Sequence, residues 1–398
     1  MKRKAVPLQP QPPQPPTDWR SVWVVVAAGV VSAFHLGKVA IAGPALQAEL
    51  GLSLAMLGSL GATFAVLGAL GGVLAGSVVA HAGDRRMLVG GLMATALGAL
   101  VAMATDRFVV LLASRLVEGL GFVLITVAGP AVLGRLVRAG DRNAAFALWS
   151  CFMPCGIALA MLTGPWFSNW RGLWAAAALA AGVITAVVMV LVPCGPHACA
   201  APPQRFRMAG VWQPAPLALA ATFLLYSLVF FALFSFLPVL LQQRMQVSPG
   251  VVGVLAALAS AANIVGNLAA GVLLKKVGRE TLGTVAAVTM AVCALGIFLP
   301  LLGPGAAFVL CLVFSAVGGL IPASLLASAT QGASTPAQAT LTVGLLMQGN
   351  NLGQALGPVL VGSAVDRHGW PAAAAWVVAT AGLMAWTVRW RPTIKSRQ

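Results

Sequence analysis

Charge is what this sequence has least of. Only 8% of its 398 residues are Asp, Glu, Lys or Arg, against roughly 25% in soluble domains, which excludes a water-soluble globular chain. Acidic residues are scarcest, 8 against 24 basic ones. No GxxxxGK[ST] phosphate loop is present, so a pump carrying its own nucleotide site is excluded. There is no HExxH and no GxSxG, and an embedded enzyme would have only His35 and Glu118 to move protons at depth. No catalytic residue, metal or cofactor is therefore expected, and the chain is not read as an enzyme. Six cysteines form no CxxC pair or even framework. Cys194, His197 and Cys199 share one Pro/Ala-rich loop, which reads as a linker rather than a metal site. The basic start and the small residues near Ala45 could suggest a cleaved leader. That apolar stretch is too long and contains Lys38, so it reads as a retained span.

What is abundant is apolar sequence, 60% of the chain. Runs long enough to cross a hydrocarbon core ~30 Å thick as helices recur at residues 21–46, 54–80, 88–105, 108–134, 145–168, 172–192, 217–241, 250–274, 282–302, 306–330, 338–365 and 372–390. Alternating barrel-strand patterning is absent, and unpaired backbone cannot face lipid. The expected fold class is all-α and integral to the membrane, with twelve transmembrane helices.

A net charge of +16 could suggest a nucleic-acid partner. Its placement argues otherwise. With the N-terminus inside, 18 basic residues fall in the tails and inner loops, 4 (Arg107, Arg171, Arg244, Arg367) in outer loops, and Lys38 and Arg115 within spans. This positive-inside bias predicts both termini in the cytoplasm and anionic lipid headgroups, not nucleic acid, as partners.

The longest polar interval divides the spans six and six. The expected organisation is a cytoplasmic Pro-rich tail (1–20), an N-terminal six-helix bundle (21–192), a cytoplasmic linker (193–216), a C-terminal six-helix bundle (217–390) and a cytoplasmic tail (391–398). An internal repeat follows from two landmarks. Gly76 and Gly83 flank a six-residue loop that returns as Gly271 and Gly278, 195 residues later. Gly164-Pro165 returns as Gly357-Pro358, 193 residues later.

These glycine loops, ASRLVEGLG in the fourth span and the two Gly-Pro pairs resemble the major facilitator superfamily over about residues 20–390. RNAAFALWSCFMPCGIALAMLTGPWFSNWRGLW is similar to its cyanate-permease-like branch. The resemblance implies parallel six-helix repeats, a solute site between them near midplane, and secondary active transport by alternating access at the plasma (bacterial inner) membrane, as a monomer. By resemblance, Gly76, Gly83, Asp84, Arg85, Gly271, Gly278 and Arg279 belong to gating loops. One departure is that the family's loop acid falls at Ala80 here, so its charge-lock role is either weakened or moved to Asp84. Another is that Gly164-Pro165 is followed by WFSN, not the antiporter continuation, which favours uptake. Proton-coupled drug or metabolite efflux is the alternative. A non-transporting membrane sensor or scaffold is the alternative of another class.

Charges at membrane depth are costly and usually serve a purpose. From the span centres, His35 lies roughly 2 Å, Lys38 roughly 7 Å, Glu118 roughly 4–5 Å and Arg115 roughly 9 Å to the outer side of midplane at ~1.5 Å per residue. If Arg115 and Glu118 neutralise each other at i, i+3, Lys38 is left over and suits a small anion. The competing expectation pairs Lys38 with Glu118 while Arg115 reaches outward to headgroups. Glu118 and His35 are the candidates for proton coupling. Phe223, Tyr226, Phe230 and Phe234 form an aromatic stripe, and Tyr226 is the sole tyrosine. Span 11 carries the amides Gln348, Asn350, Asn351 and Gln354, and span 8 carries Asn263 and Asn267. Of these, Asn350 or Asn351 is the better solute contact. The substrate-binding candidates are thus Lys38, His35, Arg115, Glu118, Tyr226 and Asn350. Gly68, Gly72, Gly76, Gly266 and Gly271 are expected to permit close helix approach.

Overall fold

The computed structural model describes residues 16–138, 141, 145, 148, 149, 151–194, 213–331 and 336–389. Most of both tails, most of the 193–216 linker, His197 and Cys199 lie outside the described residues. Among those described, the regular structure is helical: α1 (Trp19–Ile41), α2 (Gly43–Leu50), α3 (Leu54–Ala82), α4 (Asp84–Met103), α5 (Phe108–Leu136), α6 (Phe152–Thr163), α7 (Trp170–Leu191), α8 (Pro214–Phe234), α9 (Leu237–Met245), α10 (Pro249–Val277), α11 (Arg279–Phe298), α12 (Pro304–Gly318), α13 (Leu320–Gln331), α14 (Pro336–His368) and α15 (Trp370–Arg389). Nine spans among the described residues are long and apolar enough to cross a membrane, and Leu54–Leu70 and Phe152–Trp166 are shorter apolar helices. Their outward faces carry exposed Met93, Leu97, Leu268, Val285, Val288 and Val292, surface that water would penalise and lipid does not.

The first and seventh spans are each broken near one end. Pro44 and Pro238 sit in the first turns of α2 and α9, where a missing N–H costs nothing, whereas continuing α1 or α8 through them would lose a backbone bond. The repeat also appears in backbone conformation. Gly51 (φ 65°) and Gln246 (φ 50°) close α2 and α9, and Gly83 (φ 92°) and Gly278 (φ 75°) open α4 and α11, 195 residues apart in each pair. Gln246 is the one non-glycine with positive φ among the described residues. Its repeat mate is the glycine that such a conformation favours. Gln246→Gly should therefore stabilise the protein by about 0.5–1 kcal/mol, read as a raised unfolding midpoint in detergent.

Within the N-terminal half α1 packs on α5, α6 and α7, and α4 on α5 and α7; within the C-terminal half α8 packs on α14, and α11 on α12 and α15. The halves meet chiefly where α3 lies along α14 and α6 along α10. Missing Cβ atoms make this possible. A Cβ on Gly58 would stand 2.5 Å from the Pro358 carbonyl oxygen, and one on Gly68 would stand 2.7 Å from the Asn351 amide. At the end where α3 begins, Asp366 of α14 accepts hydrogen bonds from the backbone N–H groups of Leu54 (3.1 Å) and Ala55 (2.8 Å). A carboxylate from one half thus satisfies the exposed N-terminus of a helix in the other.

Candidate functional site: a buried charge cluster beside an apolar cleft

Four ionisable side chains converge inside the N-terminal half. Lys38 donates to Glu118 Oε1 at 2.7 Å, Arg115 Nη1 pairs with Glu118 Oε2, and Lys38 Nζ also lies 3.1 Å from His35 Nδ1. With Lys38 as donor, Nδ1 is the acceptor in that last contact. Arg115 Nε donates to the Leu60 carbonyl at 3.1 Å, which ties α5 to α3. Two aromatic faces complete the enclosure. The Lys38 ammonium stands 4.6 Å from the Trp174 ring centroid, and the Arg115 guanidinium 4.5 Å from that of Phe64. Gly98 leaves the room for Glu118, whose Cγ would lie 2.5 Å from a Cβ at that position.

None of these four residues is more than 1% exposed. Lys38 and Arg115 share one carboxylate beside an imidazole, so with both bases charged and His35 neutral the cluster carries one surplus positive charge. Arg115 Nη2 has no partner among the described residues. This differs from both sequence expectations. Lys38 is not left over, because Glu118 offers one oxygen to each cation, and Arg115 does not reach outward, because Leu60, Glu118 and Phe64 hold it within the bundle.

The cluster also does not line the space between the halves. That space is a narrow cleft bordered by Leu36, Gly37, Val39 and Ala40 of α1, Leu57 and Gly61 of α3, Ile157 and Met161 of α6, Phe231, Phe234 and Ser235 at the end of α8, and Gln354 and Pro358 of α14. At about 100° per residue, Lys38 points roughly 160° away from both Leu36 and Ala40. FHLGKVA thus presents two faces, Leu36 and Ala40 toward the cleft and His35 and Lys38 toward the bundle core.

The other candidates stay apart from the cluster. Tyr226 is buried on α8, its ring 5.6 Å from that of Phe230 and its hydroxyl bonded to Asn263 of α10. Asn350 accepts from the Ser227 hydroxyl at 2.7 Å, a bond between α14 and α8. Asn263 in turn donates to the Ser315 carbonyl at 3.1 Å. These groups are tied into helix packing in the C-terminal half. Gln354, ranked below Asn350 and Asn351 in the sequence, has an Nε2 with no partner among the described residues and borders the cleft. Asp366, the cap between the halves, was also missed. A lone acid next to a predicted outer loop gives no signal until its partner helix end is known.

Of the loop residues, Gly76 and Gly271 lie within α3 and α10. Asp84 binds Arg135 of α5 through Nε (3.0 Å) and Nη2 (3.3 Å), and Arg135 also donates to the Pro193 carbonyl at 3.1 Å. Arg85 reaches the Met189 carbonyl and Cys194 at the end of α7. Asp84 therefore ties helix ends within one half. Arg279 starts α11 after Gly278.

Two repeated helical bundles enclosing a cleft, with buried charge at membrane depth, define a multi-pass membrane transporter. The chain belongs to the Major Facilitator Superfamily, whose model matches residues 25–342. Solved structures share the fold. A bacterial homolog of the human lysosomal transporter Spinster, inward-facing and occupied, aligns with a TM-score of 0.74 at 16% identity over 94% of this chain and 95% of that one. The nucleoside transporter NupG aligns with a TM-score of 0.72 at 14% identity over 93% and 100%. The human organic anion transporter MFSD10 aligns with a TM-score of 0.68 at 20% identity over 94% and 100%. No curated protein sequence matches significantly.

Proposed function

We propose that this protein is a secondary active transporter that carries a small solute across the plasma membrane by alternating access, with the cleft between its halves as the solute site. The observation that carries this reading is the cleft itself, drawn from five helices of both halves, with Asp366 capping α3 across the junction of the halves. We infer from the Asp366 cap at the opposite end that the cleft opens toward the face that holds both termini, which we assign to the cytoplasm. The buried cluster serves as the coupling element. Glu118 is its one acid, facing His35, Lys38 and Arg115, and a proton taken up there releases both cations from their shared carboxylate. The protein works as a monomer with protons as the coupling ion. An uncharged cleft favours export of an organic metabolite or drug over uptake of an anion.

Uptake of a small anion at Lys38 and Arg115 is the second reading, favoured by the surplus positive charge and the unpartnered Arg115 Nη2. A thermal-shift screen separates the two, using small anions, neutral aromatics and lipophilic cations on purified wild type, Gly61→Leu and Lys38→Met. Gly61 borders the cleft with open space where its Cβ would be, so a leucine there can extend into the cleft. Stabilisation of wild type that disappears in Gly61→Leu supports the cleft. Stabilisation by anions alone, lost in Lys38→Met and kept in Gly61→Leu, replaces it with the second reading.

A further inference from the structure

The cleft's lining specifies a solute chemistry. Of its 13 lining residues none is charged, and only Ser235 and Gln354 have polar side chains. Phe231 and Phe234 supply aromatic surface. Gln354 is the unusual member, because it is 2% exposed and its Nε2 has no hydrogen-bond partner among the described residues. Leaving an amide donor buried and unpaired is costly, and buried polar groups are as a rule satisfied. On the same helix, Asn350 is bonded to Ser227. Gln354 borders the cleft, into which a solute could bring that partner.

We propose that Gln354 is the specificity-determining residue of the cleft, and that its side-chain amide binds the acceptor oxygen of an uncharged, largely apolar or aromatic solute. This rests on the cleft being the solute site. A charged solute entering this lining would lose its hydration and find no counter-charge. A neutral ring bearing one carbonyl, in contrast, would bury its ring against Phe231, Phe234, Leu57 and Met161 and satisfy the amide. A site built to hydrogen-bond one group discriminates strongly against analogues that lack it, because the unpaired protein group remains behind.

The test uses four matched probes of one size: acetophenone, ethylbenzene, benzoate and phenyltrimethylammonium. Unfolding midpoints are measured in detergent for wild type, Gln354→Leu and Gly61→Leu, with the cleft-filled variant correcting for probe effects on the micelle. Acetophenone should stabilise wild type beyond ethylbenzene, and the two charged probes should not. In Gln354→Leu the advantage of acetophenone over ethylbenzene should vanish, while the probe-free variant unfolds at or above the wild-type temperature because an unpaired amide has been replaced by a packed apolar chain. An acetophenone advantage that survives in Gln354→Leu overturns the role of Gln354 while leaving the cleft intact as the site. Failure of all four probes on wild type, or a preference for benzoate or the cation, overturns the solute class. Probe effects identical in wild type and Gly61→Leu refute the cleft as the site, and with it the reading on which this inference rests.

Discussion

Glu118→Gln should cost about 3–5 kcal/mol of stability, the scale for removing one partner of a buried ion pair. It leaves Lys38 and Arg115 in a fully buried site with no carboxylate between them. Lys38→Met should behave differently. It removes one cation of two, leaves Arg115 paired one-to-one with Glu118, and places an apolar chain of similar length against Trp174. Replacement of a buried charge by a packed apolar group is often neutral or stabilising, so this variant should stay within about 1 kcal/mol of wild type. Both variants should lose proton-coupled transport. Unfolding midpoints measured side by side check the asymmetry. Equal losses in the two would mean that Lys38 and Glu118 form a simple pair to which Arg115 contributes nothing.

The second large effect is expected at the junction of the halves. A Cβ on Gly58 would meet the Pro358 carbonyl oxygen at 2.5 Å and its carbon at 2.7 Å, backbone atoms that cannot swing aside. Gly58→Leu must therefore push α3 and α14 apart at the end where Asp366 caps Leu54 and Ala55. Overpacking of this kind typically costs about 1–3 kcal/mol, enough to shift a two-state equilibrium roughly 5- to 150-fold. The junction is one that transport must open and close, so the strain should appear as a change of conformation rather than as unfolding. Spin labels at exposed Ser53 and Arg367 should report a longer distance in Gly58→Leu, with an unfolding midpoint near wild type. Loss of folded protein would instead mean that the junction is part of a permanent core.

The fold was legible in the sequence because lipid imposes a long, continuous apolar signal and because the duplication repeats its glycines at a fixed offset. The polar span 338–365 is the informative case. Its helix, α14, is not among the nine spans that pass by length and hydropathy, yet it packs between the halves on α3 and α8. Amides such as Asn350 are tolerated there because neighbouring helices satisfy them. The charged residues of the site were legible as a group, since four of them fall in one thin slab. Their facing was not. Residues 35–40 span more than one helical turn, and span boundaries alone do not fix which side of that turn meets the cleft. Gln354 ranked below Asn350 and Asn351 for a related reason. An amide that bonds a neighbour and one that has no partner look identical until the surrounding helices are in place.

Alternating access through the cleft is the central claim, and the accessibility of Gly61 tests it most directly. A Cys-free protein carrying Gly61→Cys, in sealed vesicles of known orientation, would be treated with a membrane-impermeant maleimide from either side. The thiol should label from the face bearing both termini in the otherwise wild-type protein, and from the opposite face when Gly58→Leu is added. Labelling from neither face, or from one face regardless of Gly58→Leu, would contradict the account.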